Sequence, residues 1–481
     1  MRHFNFYGFF TLYGILFLVI IYKVFYVPVT TDEVPTVFFY STFSIWDIMM
    51  FPDNWPNNHI LNTILAKGCI TLFGKEPWSI RMPNFLMFLI YAFGVFKILK
   101  LTIKQNSWFF LPASLLFVNP YLLDFFGLCR GYGISSTFVI ISVGFLMSGF
   151  SQKKSTHIWI AVISAILASY ANFTVLVYWV AVTIMAWFYF FLEYRRNLKK
   201  LLFPVFISGI ISLIFLAIIM VPIQKLHSTN EFQYWTSKGF YQDTVKSLVH
   251  FWRYDAEILY KINSNFYVGI ISLVILTNLF YLLFKLKKTR FSVQVFYRPE
   301  FVATTILLLT IMVNISQTTI LGTPNLFGRT ALFFLPLLAV VFTTAIGLIP
   351  LFKPGWLFKS VAFFLGIILL ANFANRVNLK SVKEWNYDQN TLQVTEYLKE
   401  KYNGKPVSLK TNWIFHPSFY FYYDSGKIPW IELYDYDYNP DINTRAEYYY
   451  IFAENYEFLE PRFEVEYKFS EDRWLLKQRK Y

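Results

Sequence analysis

Charged residues are scarce in this chain: they make up 15% of its 481 residues, whereas 56% are hydrophobic and 21% are aromatic. The mean hydropathy of +0.43 lies far outside the range of soluble domains. A soluble protein could not bury 55 Phe, 34 Tyr and 14 Trp in cores of ordinary size. Disordered and collagen-like chains are poor in such residues. The composition therefore excludes these three classes and predicts a protein embedded in a lipid bilayer.

Cysteine and acidic residues are also few. The two cysteines, Cys69 and Cys129, lie far apart and match no metal-binding or redox spacing, so we expect no disulfide framework. Lys and Arg number 43 against 29 Asp and Glu, which gives a net charge of +14. In a soluble protein this excess would suggest nucleic acid, but in a membrane protein it indicates inner loops that orient the helices. We therefore expect membrane lipid as a partner and no nucleic acid.

Long apolar runs are what the chain has in abundance. A run of about 20 residues crosses the hydrocarbon core at roughly 1.5 Å per residue. About eleven such runs predict an α-helical polytopic membrane protein, and the first is too long for a signal peptide and reads as a retained anchor. The runs are 7–27, 82–99, 108–126, 132–150, 158–171, 173–192, 201–221, 266–284, 301–321, 331–351 and 356–373.

The positive charges fall on alternate sides of these runs. With the N-terminus inside, the short inner loops are basic, as at Lys153 and Lys154, whereas the short outer loops carry only the single cations Arg130 and Arg329. We therefore expect a cytoplasmic N-terminus. Because the number of spans is odd, everything after residue 373 is expected on the outer side.

Three outer segments are long enough to fold. Residues 28–81 include an apolar stretch, 37–51, that is too short to span and is expected to lie along the membrane interface. Residues 222–265 form a second outer loop. Residues 374–481 are polar and rich in tyrosine, and their pattern predicts a small extracytoplasmic α/β domain. The remainder, 1–373, is the predicted transmembrane domain.

Two adjacent carboxylates, Asp32 and Glu33, follow the first run directly. Adjacent acids commonly stay solvated at the start of a loop. A carboxylate at the depth of the lipid headgroups can also act as a general base on a substrate delivered there. The same loop adds Asn58 and His59, and Arg81 stands where the second span opens, a position at which arginine is often a headgroup anchor.

Two single arginines in outer turns have no role in orientation. Arg130 lies in a turn with Asp124 and Tyr132, and Arg329 lies just before the tenth span. Either arginine alone could extend to lipid phosphate. Both are expected at the same membrane face and depth as Asp32, and together these residues suggest a site.

The order of these features resembles the polytopic glycosyltransferases with the GT-C fold. Those proteins share an acidic pair after the first helix, a polar cluster, a Leu-Phe-Gly string as at 72–74, and an Arg-x-Pro string as at Arg81 and Pro83. The protein O-mannosyltransferase and aminoarabinose-transferase branches have this layout, which covers roughly residues 1–375 here. The chain departs from them at 57–59, where Asn-Asn-His replaces the usual Lys-Pro-Pro-like or His-Pro-like element.

The resemblance implies a GT-C-like fold and a sugar donor linked to a polyprenyl phosphate, used at the outer face of a bacterial-type inner membrane. The donor phosphate becomes the leaving group and needs cations, for which the arginine fork is suited. The acceptor hydroxyl needs one base for single-displacement inversion. By this resemblance Asp32 is expected to be the base, and Glu33 to orient it or the acceptor. The residues expected to bind substrate are Asn58, His59, Arg81, Asp124, Arg130, Tyr132 and Arg329.

Several features stay open from the sequence. The acceptor hydroxyl could belong to a glycan, a lipid or a protein. His59 could be a second base, a sugar contact or a metal ligand, so a divalent cation is possible although no cofactor is certain. A lipid-linked saccharide polymerase or ligase, or a flippase, is the alternative function. A flippase favours polar residues within the spans, where Lys23, Asn314 and Gln317 are the notable ones.

The C-terminal segment offers no catalytic pattern. It does contain several aromatic residues that could stack on sugar rings. At these spacings aromatic residues more often form a core. They are Trp413, His416, Tyr420, Tyr422 and Tyr423.

Overall fold

Helices dominate the computed structural model, which describes residues 6–105, 108–228, 238–254, 263–352 and 355–479. The helices are α1 Phe6–Tyr26, α2 Val34–Phe38, α3 Ile45–Met49, α4 Ile60–Phe73, α5 Pro77–Thr102, α6 Phe110–Phe117, α7 Pro120–Asp124, α8 Gly131–Gln152, α9 Ser155–Ala171, α10 Leu176–Tyr194, α11 Leu198–Ser228, α12 Lys246–Arg253, α13 Ser264–Lys288, α14 Pro299–Leu321, α15 Phe334–Leu348, α16 Trp356–Arg376, α17 Thr391–Tyr402, α18 His416–Asp424 and α19 Tyr456–Leu459. The strands are β1 Val407–Thr411, β2 Ile431–Leu433, β3 Tyr448–Phe452, β4 Phe463–Ser470 and β5 Arg473–Gln478.

Nine helices within the described residues are long and apolar enough to cross a membrane, or ten spans if one bent pair counts as a single span. Our estimate of about eleven spans is therefore slightly high. The bent pair turns by 50° between 110–117 and 120–127. The break falls at Asn119 and Pro120, since proline lacks the amide hydrogen that would continue the first helix. The remaining predicted span, 158–171, corresponds to α9, whose 17 residues are fewer than the roughly 20 a bilayer requires.

Helix α9 nevertheless connects the two ends of the helical bundle. Near its start, the ring of His157 lies 5.3 Å from the ring of Phe145 in α8. At its end, the carbonyl oxygen of Ala171 lies 3.2 Å from Nδ1 of His59, in the first loop. Helix α9 therefore carries the chain from one end of the bundle to the other, as a full span would. Which end faces the cytoplasm remains a prediction.

The first long loop, predicted over 28–81, folds into α2, α3 and α4 before α5 begins. The predicted interfacial stretch is not one helix but two short ones joined by a 3₁₀ turn, Tyr40–Thr42. Several of its large apolar side chains are exposed, including Phe39 and Trp46. Exposed apolar side chains beside the ends of spanning helices suit the membrane interface.

The second predicted loop, 222–265, begins later than expected. Helix α11 continues through Pro222 to Ser228, so the helix ends about two turns later than predicted. Residues 229–237 and 255–262 of this loop lie outside the described residues. Between them, α12 packs against the turn that carries Arg329, where the amide of Gly328 donates to Oγ of Ser247 at 3.0 Å.

The C-terminal residues form the small α/β domain that their pattern predicts. Its five strands lie in the order β2-β1-β3-β5-β4. Strand β1 is parallel to β2 and β3, whereas β5 is antiparallel to β3 and β4. Helices α17 and α18 bury Val394, Leu398 and Phe419 in the same core as Leu409 and Tyr450 of the sheet.

This domain shares its hydrophobic core with the first long loop, 28–81. Val29 and Val34 of the loop are buried in one cluster with Leu398 and Phe419. The amide of Val29 also donates a hydrogen bond of 3.0 Å to Oη of Tyr422. The C-terminal domain therefore packs directly against the segment that carries the acidic pair.

Candidate active site

Asp32 lies between two arginines at one end of the helical bundle. Its Oδ2 is 3.2 Å from Nη2 of Arg329 and 3.6 Å from Nη2 of Arg130. The Arg130 side chain is 2% exposed, the Asp32 side chain 25% and the Arg329 side chain 33%. The cluster thus has a closed side at Arg130 and an open side at Arg329. A ligand can reach the carboxylate and at least one guanidinium from outside.

Arg130 is held by the backbone around it. Its Nη1 donates to the carbonyl of Asp32 at 2.8 Å and to the carbonyl and side-chain oxygens of Asn57. Its Nε is buried and has no hydrogen-bond partner among the described residues. Arg130 therefore retains one donor that an added ligand could satisfy.

The next residue, Gly131, opens α8 in a space where only glycine fits. A Cβ at this position would lie 2.0 Å from the carbonyl oxygen of Ala171 and 2.7 Å from Nδ1 of His59. The close approach places the start of α8 directly against the end of α9. Arg130 is consequently fixed between two helix ends.

Arg329 is held by residues that no sequence pattern singles out. Its Nη1 lies 3.7 Å from Oε2 of Glu384, and its guanidinium lies 4.8 Å from the centre of the Trp385 ring. The hydroxyl of Tyr121 donates to the other oxygen of Glu384. Both Glu384 and Trp385 come from the segment that follows the last long helix. The C-terminal part of the chain therefore contributes directly to the arginine cluster.

The backbone beside Asp32 is also fixed from the C-terminal domain. The amide and hydroxyl of Thr31 donate to the carboxylate of Asp388 at 2.8 and 3.2 Å. The Thr31 hydroxyl also donates to the carbonyl of Ile414 at 2.7 Å. Burial, together with the negative charges of Asp32 and Glu33, holds the pKa of Asp388 well above its usual value.

Glu33 points away from this cluster into the protein. It forms a two-pronged ion pair with Arg81, Nε to Oε1 at 2.9 Å and Nη2 to Oε2 at 2.7 Å, and neither side chain has any exposed surface. The Glu33 carboxylate also accepts from the amides of Thr30 and Cys129. Burial opposes the charge, but Arg81 and these amides lower the pKa of Glu33 below its usual value. The pair is fully enclosed and fixes the start of the loop.

Arg81 has further partners in the last turn of α1 and beyond it. Its Nη1 donates to the carbonyl of Val27 at 2.7 Å, and its Nη2 donates to the carbonyl of Pro28 at 2.8 Å. Its Nη1 also donates to the carbonyl of Val24 at 3.3 Å, in the last turn of α1, where carbonyls otherwise lack a donor within the helix. The substrate-binding role expected for Arg81 and the orienting role expected for Glu33 thus have no geometric support. Their place in the structure is to fix the start of the loop that carries Asp32.

His59, Asn58 and Tyr132 lie behind the arginines. His59 is buried, its Nδ1 contacts the Ala171 carbonyl, and its Nε2 has no partner among the described residues. The ring of Tyr132 lies edge-on to it at 4.8 Å. Burial and the charges of Arg130 and Arg329 lower the pKa of His59 well below its usual value. Asn58 instead bonds to Ile48 and Thr63 within its own loop, which is a structural arrangement.

Asp124 is engaged in a buried network of its own. It forms an ion pair with Lys23 of α1, both side chains being at most 3% exposed. It also accepts from Oη of Tyr254 at 2.6 Å and from the amide of Lys383 at 3.1 Å. Asp124 therefore ties α1 and α7 to the segment that carries Glu384, and it is not presented to a ligand.

No group of three or more His, Cys, Asp or Glu side chains that could hold a metal ion occurs within the described residues. The nearest charged neighbours of Asp32 are guanidinium groups, which repel a cation. These side chains do not fit a divalent metal ion. No step of the chemistry below uses one.

No family model matches the sequence, and neither does any curated protein. The fold is similar to two crystal structures of ArnT from Cupriavidus metallidurans. The apo structure has 9% sequence identity and a TM-score of 0.39, and it covers 97% of each chain. The structure bound to undecaprenyl phosphate has 10% identity, a TM-score of 0.39 and the same coverage. A likeness this distant identifies no substrate, so function has to be inferred from the site itself.

Proposed function

We propose that this chain is an inverting glycosyltransferase that moves a sugar from a polyprenyl-phosphate donor to an acceptor hydroxyl at the outer face of a bacterial-type inner membrane. The observation that carries the proposal is the position of the Asp32 carboxylate between Arg130 and Arg329 at an open end of a helical bundle. One base and two cations within ion-pair distance meet the needs of this reaction. We expect this end of the bundle to lie at the depth of the lipid headgroups, because the three residues follow or precede the ends of apolar helices.

The arginines supply the binding site for the donor phosphate. In the structure both arginines face the Asp32 carboxylate and Arg329 also faces Glu384, so a donor phosphate would compete with these two carboxylates for the guanidinium groups. The donor phosphate would take over the exposed Nη atoms of Arg329 and the unpartnered Nε of Arg130. Arginine suits this task because its planar fork donates two parallel hydrogen bonds to phosphate oxygens.

Asp32 is then released from the arginines to act on the acceptor. The acceptor oxygen attacks the anomeric carbon while the bond from that carbon to the phosphate oxygen breaks, and the hydroxyl proton passes to Asp32. The polyprenyl phosphate leaves with its extra negative charge stabilised by the two guanidinium groups. A single displacement of this type inverts the anomeric configuration.

The remaining polar residues support the cluster. Glu33 with Arg81, and Asp388 with Thr31, fix the backbone on both sides of Asp32. His59 is a neutral imidazole behind Arg130 whose Nε2 can still accept or donate one hydrogen bond. It is therefore a candidate contact for a sugar hydroxyl.

The decisive experiment uses the full-length protein in lipid vesicles with polyprenyl-phosphate sugars that carry a radiolabel on the sugar. Wild-type protein is expected to consume one of these donors in the presence of cell-envelope acceptors. Asp32→Asn is expected to lower the transfer rate by at least about 100-fold, the usual contribution of a general base. Asp47→Asn is the matched control, because Asp47 is an exposed carboxylate of the same loop.

Three results would contradict the proposal. Full activity of Asp32→Asn would remove the assignment of the base. Movement of intact donor across the bilayer without cleavage would indicate a flippase. Joining of whole lipid-linked saccharides, with polyprenyl diphosphate released, would indicate a polymerase or ligase. Melting temperatures of both variants within a few degrees of the wild-type value would show that a loss of activity is not a loss of fold.

A further inference from the structure

Five rings form a continuous row on the outside of the C-terminal domain, which we name the aromatic platform. Consecutive rings in the row lie 5.0 to 6.0 Å apart, and the pair at one end is stacked within 22° of parallel. The row begins at the end of β1 and crosses to the segment after β2. Its members are Tyr420, His416, Tyr436, Tyr438 and Trp413.

Three of the five platform rings are exposed, whereas Tyr420 packs against the hydrophobic core of the domain. Tyr438 is 70% exposed, Trp413 43% and Tyr436 41%. By contrast Tyr422, which also belongs to α18, is 4% exposed and packs inside the domain. Single exposed aromatic side chains are common on protein surfaces, but a contiguous apolar patch marks a binding surface.

Polar groups surround the rings. Lys410 forms ion pairs with Asp437 and, at 3.5 Å, with Asp441, so one cation and two carboxylates lie beside the row. The ring of His416 is 9% exposed, and its buried Nδ1 has no hydrogen-bond partner among the described residues. This nitrogen lies in a ring 5.0 Å from the exposed ring of Tyr436, and it is available to a hydrogen-bonding ligand.

The platform adjoins the candidate active site. Ile414, between Trp413 and the start of α18, accepts the hydrogen bond from the hydroxyl of Thr31, which directly precedes Asp32. The platform also lies at the carboxyl ends of the parallel strands β1 and β2, where Asn412 and Asp437 form an isolated bridge. In open α/β sheets this edge is where ligands bind.

We propose that the aromatic platform binds the saccharide part of the acceptor, so that the acceptor of the reaction is a glycan chain. This inference rests on the glycosyltransferase function proposed above. The flat C–H face of a pyranose packs on an aromatic ring, while its hydroxyls donate to carboxylates such as Asp437 and accept from Lys410. A chain bound along the row would place its end beside Asp32.

The charges favour a glycan over the bilayer surface as the occupant. Three carboxylates border the rings, Asp435, Asp437 and Asp441, and the one nearby lysine is already paired with two of them. Membrane surfaces are anionic and attract exposed Lys and Arg. An acidic border would be repelled by such a surface, whereas it offers hydrogen-bond acceptors to a neutral sugar.

The test measures glycan binding directly, without donor or turnover. Full-length protein in lipid nanodiscs is applied to a printed array of neutral and acidic microbial oligosaccharides. Wild-type protein is expected to bind at least one oligosaccharide class. Trp413→Ala and Tyr438→Ala should each weaken that binding by about 2- to 10-fold, the value of one aromatic contact, whereas Trp413→Phe retains most of it. Tyr467→Ala is the control, because Tyr467 is an exposed tyrosine of the same domain outside the platform.

Several outcomes would overturn the inference. One is an array on which wild-type protein binds no better than the Trp413→Ala, Tyr438→Ala double variant. Another is binding that the platform substitutions leave unchanged. A third is strong quenching, by a lipid-borne quencher, of a fluorophore attached through Tyr438→Cys in a Cys69→Ser background, which would assign the platform to the bilayer. The array needs no donor, so it is independent of the transfer assay. If no oligosaccharide binds on the array while sugar transfer depends on Asp32, this inference is wrong and the proposed function stands.

Discussion

The carboxylate of Asp388 accepts hydrogen bonds from both the amide and the hydroxyl of Thr31, a residue 357 positions earlier in the chain. Thr31 directly precedes Asp32, so a residue of the C-terminal domain sets the backbone of the candidate base. Ile414 adds a second contact to the same hydroxyl. The C-terminal domain is thus a structural part of the site. We therefore expect any change to this contact to affect catalysis.

We predict that Asp388→Ala lowers the rate of sugar transfer by 10-fold or more while donor binding is kept, because a displacement of about 1 Å at a catalytic group can cost 100-fold. The measurement compares kcat with the affinity for a polyprenyl-phosphate sugar. Asp388→Asn, which can still accept from the Thr31 amide, should retain more activity than the alanine variant. Glu396→Ala, on the exposed side of α17, is the control. Equal activity of Asp388→Ala and wild-type protein would show that Thr31 is positioned without this contact.

Arg329 provides a second prediction, on the donor phosphate. Arg329→Ala should raise the donor KM by roughly 10-fold or more, since a hydrogen bond to a charged group contributes about 1.5 to 3 kcal/mol. Arg329→Lys should fall between the alanine variant and wild type, because an ammonium keeps the charge but loses the fork. Arg445→Ala, an exposed arginine of the C-terminal domain, controls for net charge. A donor KM that is unchanged in Arg329→Ala would place the phosphate elsewhere.

The buried pair of Glu33 and Arg81 provides a third prediction, on stability. Arg81→Leu leaves the enclosed Glu33 carboxylate without its partner and should lower the free energy of unfolding by about 3 to 5 kcal/mol. Glu33→Leu should cost a similar amount. The double variant should cost less than the sum of the two, because it removes both charges together. Thermal unfolding in detergent measures all three.

The matched comparison for this pair is Arg130→Leu, an arginine of similar burial that reaches Asp32 and not Glu33. Arg130→Leu should lower the rate of sugar transfer more than it lowers stability, whereas Arg81→Leu should mainly lower stability. If Arg81→Leu keeps its melting temperature and loses only transfer, Arg81 contacts the substrate after all, as the sequence resemblance implies.

The sequence was informative about the site where topology controls it. Asp32 follows the first span, and Arg130 and Arg329 stand in turns at the same end of other spans, so alternation of the helices alone predicts a common depth. The structure then shows both arginines within ion-pair distance of the Asp32 carboxylate. Because a membrane-spanning run has a definite length, its two ends predict the depth of the residues next to them.

The sequence could not predict which way adjacent side chains point in a loop, or which distant residues meet at the site. Asp32 and Glu33 are adjacent, yet one faces the opening and the other is enclosed, and no periodicity in a loop separates them. Glu384 and Asp388 lie in a polar segment with no motif, and they reach the site only through the fold of the C-terminal domain. Tertiary contacts of this kind leave no local pattern to read.

The last prediction concerns pH and His59. The imidazole titrates near 6.5 in an unfolded chain, and burial with the charges of Arg130 and Arg329 lowers its pKa well below that in the folded protein. As the pH falls below 6.5, the unfolded chain takes up a proton that the folded protein excludes, so stability is lost. The loss has a limiting slope of about 1.4 kcal/mol per pH unit and continues until the folded pKa is reached.

His59→Asn should remove this component, because the amide can still donate to the Ala171 carbonyl but does not titrate. Unfolding of both proteins in detergent at pH 7.5 and 5.5 measures the difference. The variant is expected to be less stable than wild type at pH 7.5 and to lose less stability on acidification. His227→Asn, at an exposed position of α11, accounts for general effects of removing a histidine. Equal acid sensitivity of His59→Asn and wild-type protein would mean that the pKa of His59 is the same in the folded and unfolded states, which would contradict the enclosed, neutral imidazole that we assign as a contact for the sugar.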